Sequence, residues 1–128
     1  MVELDLAAVD ARLRAILAPH ADRFASREGY GGVILELSDH VGQPWGYVAG
    51  VRPGKRYVSF YLMGVYAQPE LLDGMSPALR ARMQGKSCFN FSRVDEPLLA
   101  ELATLTDRVL ARHREIVAPM IATRGRKR

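Results

Sequence analysis

An α+β fold is predicted: an antiparallel sheet of about four to five strands, with an N-terminal and a long C-terminal helix packed mainly on one of its faces. Three observations carry the prediction. Apolar residues recur at helical spacing towards both ends of the chain, β-branched and aromatic residues cluster in short runs between Val33 and Met63, and the segments joining those runs are turns. Short turns join antiparallel neighbours, because a parallel crossover needs a dozen or more residues.

Taken in order, Leu6, Val9, Leu13, Ile16 and Leu17 fall on one side of a helix spanning about Leu4 to Leu17, which Pro19 ends because it has no N–H for the preceding turn. A short strand is expected around Asp22 to Arg27, then a turn through Gly29, Gly31 and Gly32. Val33 to Leu37, Trp45 to Val51 and Arg56 to Met63 read as strands; Gly46 and Gly50 in the second imply close approach by another element. Ser76-Pro77 is an N-cap followed by proline at the first helical position, opening a helix expected to carry Leu79 and Met83 and to end at Gly85. A strand over Ser87 to Phe91 follows. Asp95 then caps a final helix whose apolar positions keep their period to Pro119.

The chain of 128 residues, 48% hydrophobic and 25% charged, has the size and composition of one globular domain, expected over 1–119. Acidic residues in MVELDLAAVDARL, where a secretion signal needs basic ones, and a lone cysteine that forbids an internal disulfide, lead to the expectation of a cytoplasmic protein. No apolar window approaches the roughly 18 to 20 residues of a membrane span. The net charge of +4 is carried by the end of the chain: without Arg124, Arg126, Lys127 and Arg128, 14 basic residues face 14 acidic ones. Residues 120–128 are therefore expected as a disordered basic tail, and nucleic acid is expected only weakly, through that tail.

Motifs with chemical content are few. Gly85-Lys86-Ser87 lacks the glycine that a phosphate-binding loop needs five residues earlier, where Arg80 stands, and it runs into a strand rather than a helix. His20, His40 and His113 have no metal-ligand spacing with one another or with Cys88, which reads as a buried structural cysteine; His113 reads as a half-buried structural residue. No catalytic residue, metal site or cofactor is expected.

Two blocks, YVSFYLMGVY at 57–66 and SPALRARMQGKSCFNF at 76–91 followed by VDEPLLAELATLT, resemble the YdhG-like family, also called domain of unknown function 1801, and in particular its branch with a YVSFxLMxVY strand and an MQGKSCFNF segment. The likeness extends from about Trp45 to Leu110. It implies a frataxin-like α+β fold in a bacterial cytoplasmic protein, without a settled activity. Iron chaperoning, which the family likeness also raises, would call for a dense carboxylate surface; the first helix offers only Glu3, Asp5 and Asp10, with Arg12 and Arg14 on the next turn.

Alternation along the strands supplies the candidate site. Tyr57, Ser59 and Tyr61 share one face of their strand, and Lys86, Cys88 and Asn90 share one face of the next. With Arg82 on the turn before, and Trp45 and Tyr47 from the neighbouring strand, Tyr57, Ser59, Tyr61, Arg82, Lys86 and Asn90 are expected to form a non-enzymatic binding surface for a small anionic or aromatic ligand or for a partner protein.

Overall fold

A computed structural model describes residues 5–29, 31–43 and 46–126, with side chains to residue 122. It begins with helix α1 (Leu6–Leu17), whose N-cap Asp5 accepts from the Ala8 N–H at 3.1 Å. Val9, Leu13 and Leu17 are its buried stripe, and Pro19 turns the chain into a tight 3₁₀ segment, Ala18–Arg23. Strands β1 (Ala25–Gly29), β2 (Gly32–Glu36), β3 (Tyr47–Pro53) and β4 (Val58–Leu62) then form a meander. A short helix α2 (Gly64–Ala67), a 3₁₀ turn (Pro69–Leu72) and a one-turn helix α3 (Pro77–Arg80) lead to β5 (Met83–Gln84) and β6 (Cys88–Phe91), and helices α4 (Glu96–Ala111) and α5 (His113–Arg126) complete the described chain. Among the described residues no helix is long and apolar enough to cross a membrane.

The α+β class and the antiparallel sheet are as expected, but the sheet has six strands rather than four to five, in the order β1-β2-β3-β4-β6-β5. The extra strand is β5. Ser76 caps α3 as anticipated, its hydroxyl accepting from the Leu79 N–H at 3.1 Å, yet the helix stops at Arg80 and Met83–Gln84 pair with Phe89 and Cys88. Gly85, at φ +78°, therefore makes the tight turn of a hairpin rather than the end of a helix.

Alternation sorts the sheet into two faces. Val58, Phe60 and Leu62 of β4, Phe89 and Phe91 of β6, and Ala49 and Val51 of β3 point to one side, where they join Val9, Leu13 and Leu17 of α1 and Leu99, Leu102, Leu105 and Val109 of α4 in a single core. Each of these large side chains contributes roughly 1.5–3 kcal/mol through burial. The helical C-terminal region departs from the expected single helix: it breaks at Arg112, and α5 runs on past Pro119 to Arg126. Of the residues expected as a tail, 120–126 are thus helical and Lys127 and Arg128 lie outside the described residues.

One irregularity positions the site. Register pairs Leu35 with Ala49 but Glu36 with Tyr47, so Val48 is an extra residue in β3. Both Val48 and Ala49 are fully buried in the core. Strict alternation would have sent Tyr47 to the core side with Ala49 and Val51; the bulge brings it round to the opposite face.

Candidate functional site

The face of the sheet away from the core carries Arg27 and Gly29 of β1, Ile34 and Glu36 of β2, Tyr47, Gly50 and Arg52 of β3, Ser59 and Tyr61 of β4, and Cys88 and Asn90 of β6. Two adjoining concavities lie on it. The first, about 410 Å³, has Ile34, Tyr47 and Tyr61 as its apolar wall and Arg27, Glu36 and Gln43 as polar groups. The second, about 460 Å³, is formed by the β3–β4 turn, with Arg52, Lys55, Arg56, Tyr57, Ser59 and Tyr61. Arg52 and Tyr61 belong to both.

Local structure explains why the aromatic wall exists. Tyr47 and Tyr61 have ring centroids 6.2 Å apart with planes tilted at 46°, a separation within the range of favourable aromatic pairs. Gly50 stands between them in register, paired with Tyr61, and a Cβ there would overlap the Tyr47 hydroxyl. The glycine is the space into which the tyrosine lies.

At the other end Glu36 is 3% exposed, although its strand is otherwise apolar. Its Oε1 accepts from Arg27 Nε at 2.8 Å and its Oε2 from the Gly42 N–H at 2.9 Å, closing the loop after β2 onto the sheet. The Arg27 hydrogen bond, helped by the Gly42 amide, outweighs desolvation and holds the carboxyl below the usual carboxylate range.

The lining of the two concavities holds four cations, Arg27, Arg52, Lys55 and Arg56, against one carboxylate, Glu36. A formally neutral body therefore has a basic face, which a count along the whole chain averages away. Three of those cations lie in RPGKR, residues 52–56, where Gly54 donates to the Tyr57 carbonyl at 3.0 Å and the tight turn crowds the side chains together.

The expected site residues divide into three groups. Tyr57, Ser59 and Tyr61 line the second concavity. Asn90 sits opposite Ser59 in register but is already engaged: its Oδ1 accepts from Ser59 Oγ at 2.7 Å and from Cys88 Sγ at 3.3 Å, while its Nδ2 donates to Gln84 Oε1 at 2.7 Å. Asn90 thus ties β4, β6 and β5 together. Arg82 and Lys86 line neither concavity; Lys86 Nζ stands 5.8 Å above the Tyr66 ring, at the far edge of the sheet. Tyr47 lines the first concavity, and Trp45 lies outside the described residues. Arg27, Glu36, Arg52, Lys55 and Arg56 were missed by motif reading. Two signals were available: a charged residue inside the apolar run GVILEL, and three cations in a five-residue turn.

Cys88 is half-buried, and burial pushes its thiol up despite the nearby Ser59 and Tyr61 hydroxyls. The histidines serve elsewhere. His20 is held between Asp107, at 2.8 Å from Nε2, and Arg23, which donates to Nδ1, so that Nε2 carries the proton given to Asp107. His113 is fully buried rather than half-buried, with both ring nitrogens unpartnered, and desolvation lowers its pKa to about 4. Asp5 caps α1, Asp10 pairs with Arg14 at 2.9 Å, and Glu3 lies outside the described residues. Among the described residues there is no cluster of three or more His, Cys, Asp or Glu side chains fit to hold a metal ion.

Comparison with family models, with curated proteins and with solved structures finds no match to the chain.

Proposed function

We propose that the chain is a non-enzymatic binding module, of YdhG-like kind and cytoplasmic, whose open sheet face takes a small ligand with an aromatic ring and an anionic group. One observation carries this reading: an aromatic-walled concavity and a cation-lined one adjoin and share Tyr61 and Arg52. A ring laid against Tyr47, Tyr61 and Ile34 exchanges water for apolar contact, while guanidinium and ammonium donors on the β3–β4 turn bind the anion by charge-assisted hydrogen bonds. A binding role rather than a chemical one fits the groups nearby, since the Cys88 thiol is pushed up and is bonded to an amide oxygen rather than to a base.

A thermal-shift panel of aryl sulfonates, aryl carboxylates and aryl phosphates tests the reading. At a hundredfold excess over Kd a ligand adds about 2.7 kcal/mol to the folded state, a readily measured rise in the midpoint. Tyr61→Leu should diminish the rise. A panel in which no aromatic anion stabilises the chain at millimolar concentration sinks the reading.

A further inference from the structure

We infer that the aromatic anion is a nucleoside 5′-monophosphate, with its base in the Tyr47–Tyr61 concavity and its phosphate on the Arg52–Arg56 turn. The inference rests on the binding-module reading above and deepens it.

The base half follows from what surrounds the aromatic wall. Tyr47, Tyr61 and Ile34 offer faces on which a flat ring can lie, and base–aromatic contacts of this kind are worth about 1–3 kcal/mol per base. The rim is polar, however. Gln43 brings both an amide donor and an acceptor, and Glu36 brings a carboxylate whose two oxygens accept only one described hydrogen bond each. A plain hydrocarbon ring would cover these groups without satisfying them, which costs desolvation energy. A heterocycle with donors and acceptors along its edge restores the bonds, and a carboxylate is the natural acceptor for an exocyclic amine of a nucleobase.

The phosphate half follows from the turn. Lys55 and Arg56 are exposed and make no hydrogen bond or ion pair with a described residue, and Arg52 stands beside them on the wall shared with the ring. Three cations around one shallow concavity suit a dianion better than a single carboxylate, and arginine matches phosphate geometry in bidentate fashion. The combined space, two concavities meeting at Tyr61 and Arg52, lies within the several hundred Å³ typical of small-molecule sites and has the two-part shape of base and phosphate.

Calorimetric titration of the full chain with AMP, adenosine, inorganic phosphate and phenyl phosphate tests the inference. AMP should bind about tenfold or more tighter than each of the other three. Lys55→Ala/Arg56→Ala, two exposed positions on a turn, should weaken AMP about tenfold and leave adenosine unchanged, with circular dichroism confirming the fold. Phenyl phosphate binding as tightly as AMP overturns the nucleotide assignment while leaving an aromatic-anion module standing. Adenosine binding as tightly as AMP overturns the phosphate subsite. A single-stranded oligonucleotide that binds where AMP does not also overturns the mononucleotide assignment. If neither AMP nor any aromatic anion binds, the module reading fails with it.

Discussion

The Tyr47 ring occupies the space that a side chain at Gly50 would fill, three residues further along the same strand. Only a bulge makes this possible, because residues three apart on a regular strand point to opposite faces. Gly50→Ala should therefore push Tyr47 away from Tyr61 and press on the Val33 carbonyl, 2.9 Å from the new Cβ. A loss of about 1–3 kcal/mol is expected in a denaturant titration, with weaker binding of aromatic anions. In a Tyr47→Ala background the same change should cost less, and a double-mutant cycle that shows simple additivity would refute the steric account.

Glu36 links the loop after β2 to Arg27, and its removal should be felt at neutral pH. Glu36→Gln leaves an ionic hydrogen bond unmade and is expected to cost about 1–3 kcal/mol. The folded carboxyl gives up its proton more readily than the unfolded chain does, so the stabilisation is present above the ordinary glutamate range and fades as pH falls through the lower folded value. Urea titrations from pH 7 downwards should show wild type and variant converging in acid. A gap that is independent of pH would contradict this.

His113 acts in the same direction at higher pH. Its folded pKa of about 4 lies below its ordinary value of 6.5, so the unfolded chain takes up the proton first. Stability is whole above pH 6.5 and declines between there and about pH 4, by of order 3 kcal/mol in total. His113→Leu removes two unpartnered buried nitrogens and should be neutral or stabilising at pH 7 while flattening that decline. An unchanged slope in the variant would show that other groups carry it.

For Cys88, alkylation followed by mass spectrometry gives a direct measurement. The raised thiol and its bond to Asn90 predict slower reaction near neutral pH than in the unfolded chain. Equal rates in the two states would refute the prediction.

Much of the architecture was readable because period and punctuation agree. Pro19, Ser76-Pro77, Asp95 and the central β-branched runs each state a local preference that tertiary packing did not override. Met83 misled because its four-residue spacing from Leu79 also fits a half-buried strand, and only pairing with Phe89 decides between them. The geometry of the candidate site was half legible. Alternation along β4 put Ser59 and Tyr61 on one face, and Tyr47 was expected beside them; counting from Ala49 alone would have sent Tyr47 to the core, and only the bulge at Val48 brings it to that face. Nor does alternation say which polar groups already hold one another, as Ser59 and Asn90 do.

The two-residue strand β5 has a further consequence, for behaviour in crowded solution. An antiparallel sheet ends in two rows of backbone donors and acceptors, each a template on which another chain could polymerise. Here one border is only Met83 and Gln84 long, and the other, β1, carries Arg27 and Glu28 on a largely exposed strand. Brevity guards one edge against aggregation, and charge guards the other.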